Sequence, residues 1–249
     1  MAQNDGMSVT SPSVRTPSVR APSVRAEPPL SPTPRTTLNR RRDRAGLDRH
    51  DLYDVLATAP ICHFGVLVDG APLVLPTAFG FDVDGPDECG TLYLHGSVAS
   101  LSLLAAPQHP ICVTFTVLDG FVLARSAFHH SMNYRSAVVV GLARVVDDAD
   151  EKARALSLVV DQVVPGRMET LRAHTRKELA ATSVLALPLV EASVKTRSGD
   201  PVDDESDMAA GAWAGVIPTR LIATDAVTAA DSVTPEPPAD VLARVAAMR

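Results

Sequence analysis

The sequence predicts a mainly β protein, in which an antiparallel sheet closes or half closes into a small barrel with a few peripheral helices. Strand-like apolar runs outnumber the helical stretches, with about six strands against two or three helices. Asp-Gly pairs follow two of these runs, and tight turns join antiparallel strands because a parallel crossover needs a dozen or more residues. Closure is favoured because it removes exposed sheet edges.

The first predicted elements are a helix and four strands. The helix begins near Asp48, carries Leu52, Val55 and Leu56 at helical spacing, and stops at Pro60. A short apolar helix, SVASLSLLAA, separates the third strand from the fourth. The strands are expected at 61–68, 72–82, 91–96 and 111–118, with turns at Asp69-Gly70, in VDGPDECG and at Asp119-Gly120.

The second half is expected to alternate long strands with helices. A strand over 133–146 precedes the helix DDADEKARALSLVVDQVV, whose first turn carries acids that the helix dipole favours. Another helical stretch surrounds METLRAHTRKELAA, and SVLALPLVEASVKTR is the last long strand. AWAGVIP is a short apolar piece before a minor terminal helix.

The chain has 249 residues, 46% of them hydrophobic, which suffices for one sizeable core. We expect a disordered Pro/Ser/Arg-rich tail over 1–47, a folded domain over 48–219, and a linker with a short helix over 220–249. PSVR recurs every five residues in the tail. A solvated leader is the favoured interpretation of these repeats, and a phosphorylatable or anion-binding segment is the alternative.

Charge and composition argue against several classes of function. Residues 1–50 have nine arginines and four acids, a net of +5, so the remainder of the chain carries −11. An acidic body with few aromatics argues against nucleic-acid binding. No apolar run approaches the roughly 18 residues of a membrane span, and no secretory signal is evident, so a cytoplasmic protein without a membrane partner is expected. Three scattered cysteines suggest neither a disulfide framework nor a zinc site.

The stretch LDGFVLARSAFHHSMNYRS (118–136) places polar side chains directly after an apolar run. His129 and His130 would point to opposite faces of an extended chain, so they cannot chelate one metal together. No acid stands beside them in the sequence, and no metal site is predicted. Serine-hydrolase, Rossmann and P-loop motifs are absent as well.

Two segments are candidates for the walls of a phosphate site. In LYLHGSVAS (92–100) a strand runs into a helix, whose free N–H groups would stabilise an anion. In NYRS (133–136) the planar guanidinium of Arg135 suits a phosphate. The alternatives are that Ser97 only caps the helix and that Arg135 is an ordinary edge-strand charge. Arg135 and Ser136 should face opposite sides of a regular strand, so one would act through its backbone unless the strand is bulged.

From about residue 48 to 219 the chain resembles the pyridoxamine 5′-phosphate oxidase-related family of flavin-nucleotide-binding split barrels, in the branch with nitroimidazole reductase-like proteins. The matching segments follow the family's order: ICHFGVLVDGAPLVLPTAFG, TLYLHGSVAS, LDGFVLARSAFHHSMNYRS, VVPGRMETLR and WAGVIP. HGSxAS and ARSAFHHSMNYRSxVVxG are specific for this branch. The resemblance implies a six-stranded antiparallel split barrel, built as a homodimer with FMN in a cleft at the subunit interface.

Carried over by position, the resemblance implies nine cofactor-binding residues. Two would line the edge of the flavin ring, four would approach the ribityl phosphate, two would bind phosphate or ring from the same or the partner subunit, and a tryptophan would pack near the ring. In that order they are Pro76 and Thr77; His95, Gly96, Ser97 and Ser100; Arg135 and Ser136; and Trp213. Relatives follow the last of the four with Arg or Lys, whereas Leu101 stands here. Either FMN affinity is lower, or Arg125 or Arg135 substitutes, or the pocket takes another ligand.

The function that this resemblance implies is an FMN-dependent oxidoreductase, which passes hydride from NAD(P)H or a substrate amine through the flavin. The sequence specifies neither the substrate nor a catalytic side chain. One alternative is a haem-binding or haem-degrading split barrel with His95, His129 or His130 as the axial ligand. Another is a non-catalytic flavin-binding protein. The expected partners are a second copy of the chain and a small-molecule substrate.

Overall fold

The computed structural model describes residues 28–31, 33–46, 48–209 and 211–249. Within these residues, ten strands form two antiparallel sheets surrounded by five α-helices. The strands are β1 (Cys62–Val68), β2 (Ala71–Thr77), β3 (Phe79–Asp82), β4 (Thr91–Ser97), β5 (Ile111–Leu123), β6 (Ser131–Gly141), β7 (Arg144–Val145), β8 (Thr182–Pro188), β9 (Ala192–Arg197) and β10 (Gly215–Pro218). The helices are α1 (Arg49–Thr58), α2 (Leu101–Ala105), α3 (Ala149–Val163), α4 (Arg176–Ala181) and α5 (Ala239–Ala247).

Sheet A has the order β2-β1-β5-β6-β9, with β10 also paired to β5, and sheet B has the order β3-β4-β8-β7. This confirms the predicted antiparallel split barrel. Three stretches predicted as single strands instead change sheet in the middle. They divide into β2 and β3, into β6 and β7, and into β8 and β9. A strand that leaves one sheet and enters the other closes the barrel around a single core.

The barrel core consists of the side chains that β1, β4, β5, β6, β8 and β9 turn inward. Phe79 and Phe115 meet edge to face at its centre, with ring centroids 4.8 Å apart. Helix α1 contributes its apolar side chains Leu52, Val55 and Leu56 to this core. Its first turn has a capping box formed by Asp48 and Asp51, as its predicted start requires.

A second apolar cluster lies between helix α3 and the outer face of sheet B. It joins Ala155 and Leu156 of the helix to Tyr93, Val184 and Ala186 of the sheet. The N-cap of α3 is Asp148, whose carboxylate accepts from the N–H groups of Asp150 and Glu151. The second predicted helical stretch is shorter than expected, since only Arg167–Thr170, as a 3-10 turn, and α4 are helical there.

The two Asp-Gly pairs behave differently. Asp69 and Gly70 have φ angles of 51° and 77°, as a two-residue hairpin turn between β1 and β2 requires. The prediction of a turn at Asp119-Gly120 is wrong, because β5 continues through both residues with an irregularity between Leu118 and Gly120. Gly120 instead allows β10 to approach β5 closely, because a Cβ at this position would lie 3.0 Å from the carbonyl oxygen of Ile217 on β10.

Part of the segment ahead of residue 48 packs on the barrel. Leu30 is 7% exposed and belongs to the core, and the Ser31 N–H donates to the carbonyl of Ala192. The buried Arg49 guanidinium donates to the carbonyls of Pro28 and Leu189, which fastens this arm to the end of β8. The domain boundaries stay a prediction, and the PSVR repeats lie outside the described residues. Among the helices of the described chain, none has the length and apolar character that a bilayer crossing requires.

Candidate functional site

His95 lies on the outer face of sheet B, near the end of β4. Its neighbours Leu94 and Leu92 point into the barrel core, so the alternation of the strand turns His95 outward with Tyr93. It stands opposite Val184 of β8. Its Nδ1 is buried and has no hydrogen-bond partner among the described residues. Burial lowers the pKa of the imidazole, so the ring is neutral near pH 7 and can accept a proton, a hydrogen bond or a metal.

A turn, and not the helix itself, follows β4. Ser97 Oγ accepts from the Ala99 N–H at 3.2 Å, and the Ser100 N–H donates to the carbonyl of Ser97 at 3.0 Å. The N-cap residue of α2 is therefore Ser100, not Ser97 as the alternative interpretation had it. Gly96 faces α2, where a Cβ would lie 2.7 Å from Leu103 Cδ1. The predicted phosphate-binding segment thus offers serine hydroxyls, with Leu101 exposed beside them, while the N–H groups of Val98, Ala99 and Ser100 are hydrogen-bonded within the chain.

The hairpin β1–β2 places Pro76 beside a histidine that the sequence analysis did not select. Pro76 pairs with His63, and Thr77 pairs with Cys62, which is fully buried in the core. His63 and Pro76 therefore face outward, and Thr77 faces inward. The two-residue turn at Asp69-Gly70 fixes this register, so the pairing of His63 with Pro76 could have been found in the sequence.

Beyond Pro76, the chain continues from β2 of sheet A into β3 of sheet B, in the direction of His95. Ala78 follows Thr77 directly and leads into β3, whose first residue pairs with Leu94, the neighbour of His95. On the other side, His63 pairs with Thr114 of β5, which pairs with Val138 of β6. We call the surface formed by His63, Pro76, Thr114 and Ser136 the outer face of sheet A.

Arg135 and Ser136 face opposite sides of β6, as a regular pleat requires. Ser136 lies on the outer face of sheet A, and its Oγ donates to the carbonyl of Lys195 at 3.2 Å. Arg135 lies on the inner side with Ala137 and pairs with Asp119 through two hydrogen bonds, of 3.1 Å and 2.9 Å. Within one chain, Arg135 and His95 therefore belong to different sheets and opposite sides. Their meeting at one phosphate stays a prediction about the assembled protein.

Trp213 lies beside an exposed apolar surface at the free end of β5. The indole is 66% exposed, and a Cβ on Gly215 would lie 2.7 Å from it. Strand pairing aligns Ile217 of β10, Phe121 of β5 and Met132 of β6, which are 49%, 44% and 50% exposed. We call these three side chains the apolar row.

The histidine pair is held by contacts that the sequence did not reveal. His130 Nδ1 lies 2.9 Å from the carbonyl oxygen of Ser126, so Nδ1 carries the proton and Nε2 is free to accept. His129 Nε2 lies 3.3 Å from Asp204 Oδ2, and Asp207 completes a group whose ligand atoms lie within 4.8 Å of one another. The acids missing beside the pair in sequence thus come from a segment about 75 residues away, which no local pattern could indicate. Arg125, a suggested substitute for the missing phosphate ligand, is itself paired with Asp203 at 2.9 Å.

The site therefore divides into two parts. The outer faces carry Pro76, His95 and Ser136, with His63 as an addition, while Arg135 and Thr77 face inward. The family model described as pyridoxamine 5′-phosphate oxidase matches residues 48–196, and the chain belongs to this family.

Several solved structures are similar to this chain. The flavocytochrome Anf3 from Azotobacter vinelandii matches with a TM-score of 0.78 and 37% identity, over 86% of this chain and 98% of that one. The FAD and haem binding protein from Mycobacterium smegmatis matches with a TM-score of 0.73 and 38% identity, over 81% of this chain and 97% of that one. A 5-nitroimidazole antibiotic resistance protein from Bacteroides thetaiotaomicron (TM-score 0.50, 22% identity, 61% of this chain and 85% of that one) shares the fold. No curated protein gives a significant match.

Proposed function

We propose that the protein binds a flavin and a haem and acts as an oxidoreductase. The observation that carries the proposal is the identity of 37% and 38% to two solved proteins, a flavocytochrome and an FAD and haem binding protein. The alignments span 98% and 97% of those chains, so the whole of both relatives has a counterpart here. A bound flavin exchanges hydride or single electrons, and a bound haem exchanges single electrons.

We place the flavin on the outer face of sheet A. On this face His63, Thr114 and Ser136 of three neighbouring strands offer hydrogen-bonding groups. Val74 and Leu67 flank it and are 62% and 41% exposed. The apolar row adds more exposed apolar surface, which commonly marks an interface. A second copy of the chain covering this face would complete the cleft, so the proposal includes a homodimer.

The resemblance predicts FMN, but the phosphate segment favours FAD. FMN ends in a phosphate monoester that carries about two negative charges at neutral pH, whereas each phosphate of FAD carries one. Leu101 and its neighbours supply no cation for a doubly charged group. The relative from M. smegmatis also binds FAD. We therefore propose FAD as the flavin and retain FMN as the form predicted from the family.

The haem would be held by a histidine, and the geometry favours His130. A metal-ligating histidine usually donates its other ring N–H to a carbonyl or carboxylate, which fixes the ring. His130 has this arrangement through the carbonyl of Ser126, and its side chain is exposed. Phe128, two residues before His130, is 89% exposed and offers apolar surface to a porphyrin. His95, neutral and without a partner at Nδ1, is the second candidate.

The test is cofactor titration of the purified protein with FAD, FMN and haemin. We expect a flavin absorption band at about 450 nm and a haem Soret band at about 400 nm, and we expect both cofactors to stay bound during gel filtration. Chromatography of the flavin released by heat then separates FAD from FMN. A protein that stays colourless with excess of both cofactors would contradict the proposal.

Two further measurements assign the ligand and the activity. His130→Ala should abolish or shift the Soret band, while His109→Ala, an exposed histidine after α2, should leave it unchanged. An unchanged band in His130→Ala and a lost band in His95→Ala would transfer the ligand to His95. Reduction of the bound flavin by NADH or NADPH in a stopped-flow instrument supports the oxidoreductase, and flavin binding without any reduction supports a non-catalytic carrier.

A further inference from the structure

A cavity of about 540 Å³ lies at one end of the barrel, on the inner side of β6. Its walls are the end of α1, the stretch Thr116–Asp119 of β5, the side chain of Arg135, and the C-terminal chain with α5. His63, Pro76 and Ser136 are not part of its lining. Thr116, which pairs with Ser136, is part of the lining, so the cavity adjoins the outer face of sheet A, where the cofactor is proposed to bind, without including the residues that define that face.

Three arginines line this cavity against a single acid. Arg135 is held by Asp119, which accepts from its Nε and one terminal nitrogen, and these hydrogen bonds raise the pKa of the guanidinium further. The other terminal nitrogen of Arg135 lies 3.4 Å from Thr58 Oγ1 at the end of α1. The side chains of Arg220 and Arg244 make no ion pair or hydrogen bond within the described part of the chain. The lining of the cavity therefore has two more arginines than acids, and Asp54 of α1 is the further carboxylate that acts on Arg135.

Backbone hydrogen bonds hold the C-terminal chain against the barrel at this point. The Thr219 N–H donates to the carbonyl of Asp119 at 3.1 Å, and Thr219 Oγ1 donates to the carbonyl of Leu118 at 2.8 Å. The Ala223 N–H donates to the carbonyl of Met248 at 3.2 Å, which fixes the end of α5 beside the same segment. The segment with Arg220 is thus hydrogen-bonded to β5, and the helix with Arg244 is hydrogen-bonded to that segment.

The remaining lining is largely apolar. Pro60, Leu118, Leu221 and Met248 contribute apolar surface between the arginines. A cavity with apolar walls and a few convergent charged groups is typical of small-molecule sites, which range from about 300 to 1,000 Å³. Arginine suits carboxylates and phosphates in particular, because its planar donors match their oxygens in pairs.

We propose that this cavity binds a small organic anion, in which a carboxylate or a phosphate group is attached to an apolar body. Arg220 and Arg244 bind the anionic group, and Leu221 and Met248 contact the apolar part. Arg135, fixed by Asp119, supplies the third positive charge from the barrel wall. The site does not depend on the flavin or the haem.

Isothermal titration calorimetry with phenyl phosphate and benzoate tests the proposal, with uncharged benzamide as the control ligand. We expect at least one of the two anions to bind and benzamide not to bind, and the preferred anion distinguishes a phosphate from a carboxylate site. Arg220→Gln and Arg244→Gln should each weaken binding about tenfold, which corresponds to the loss of one charged contact. Arg176→Gln removes an exposed arginine of α4 outside the cavity and should leave affinity unchanged.

The titrations are run on the cofactor-free and on the flavin-loaded protein, so that failure of this proposal is distinguishable from failure of the proposed function. Equal affinities in both forms are expected. Thermal melting of each variant checks that the fold is retained, as we expect because Arg220 is exposed and Arg244 is half-buried. The proposal is overturned if neither anion binds at about 10 mM, if benzamide binds equally well, or if Arg176→Gln weakens binding as much as the cavity variants do.

Discussion

The two sheets of the barrel share one core but differ on their outer faces. The outer face of sheet B is covered by the chain's own helix α3, and Tyr93 beneath it is only 1% exposed. Its hydroxyl donates to Glu151, which is bridged by Arg144 to Asp87. The outer face of sheet A has no such cover among the described residues, and Val74 on it is 62% exposed.

The difference indicates which surface is complete within one chain. The outer face of sheet B has its apolar side chains buried under α3, and His95 Nδ1 is its one buried side-chain polar atom without a partner among the described residues. On the outer face of sheet A, apolar and hydrogen-bonding side chains are exposed side by side. Such a combination is typical of surfaces that bind a ligand or a partner. The structure therefore separates a stabilising face from a functional one.

The largest test of this comparison uses one tyrosine from each face. Tyr93→Ala should lower the free energy of unfolding by about 3–5 kcal/mol, because it empties the space under α3 and removes one of the hydrogen bonds to Glu151. Tyr134→Ala, on the half-buried outer side of β6, should cost about 1 kcal/mol or less. Urea unfolding measures both. A large cost for Tyr134→Ala that grows with protein concentration would show that a second copy covers sheet A.

A smaller effect is expected from one glycine on each face. A Cβ at Gly80 would lie 2.8 Å from the backbone nitrogen of Val159 and would push α3 away from sheet B, so Gly80→Ala should cost about 1–3 kcal/mol. A Cβ at Gly65 on sheet A would lie 3.1 Å from the carbonyl oxygen of Cys112, and Gly65→Ala should cost less. Thermal or urea unfolding compares the two. Equal costs would contradict the view that only sheet B is packed on its outside.

The smallest effect concerns His95, on the outer face of sheet B. Burial lowers the pKa of His95 in the folded protein below its ordinary value of 6.5. The unfolded chain therefore takes up the proton first, so this contribution to stability is complete above that value and is lost as the pH falls through the folded pKa. His95→Gln should flatten the acid-side decrease in the free energy of unfolding. His109→Gln, an exposed control, should keep it, and identical profiles for wild type and His95→Gln would contradict the expectation.

Local patterns predicted the elements well, but they did not predict where a strand changes sheet. The caps at Asp48 and Asp148 and the hairpin at Asp69-Gly70 depend on neighbouring residues, which a sequence displays. The path of β5 through Asp119-Gly120 depends on β10, which lies about 100 residues later and approaches the glycine. The division of the last long strand into β8 and β9 likewise depends on the closure of the barrel, a property of the whole chain.

The candidate site was predicted only in part, because some of its residues are brought together by contacts between distant parts of the chain. Alternation along β6 already indicated that Arg135 and Ser136 face apart, and the structure shows which of them faces inward. His63 could have been added from the register of the hairpin. The acids beside His129 and the arginines of the C-terminal chain could not, since tertiary contacts alone bring them to the barrel.

The central claim is that the flavin binds on the outer face of sheet A. The most direct test is a fluorescence titration of FAD and FMN with Ser136→Phe and with Arg135→Ala, since these neighbours face opposite sides of one strand. The account predicts at least tenfold weaker flavin binding for Ser136→Phe, which fills the outer face. For Arg135→Ala it predicts at most about twofold, in contrast to the sequence-based prediction that Arg135 binds the cofactor phosphate. The reverse result, a loss of tenfold or more for Arg135→Ala with unchanged affinity for Ser136→Phe, would contradict it.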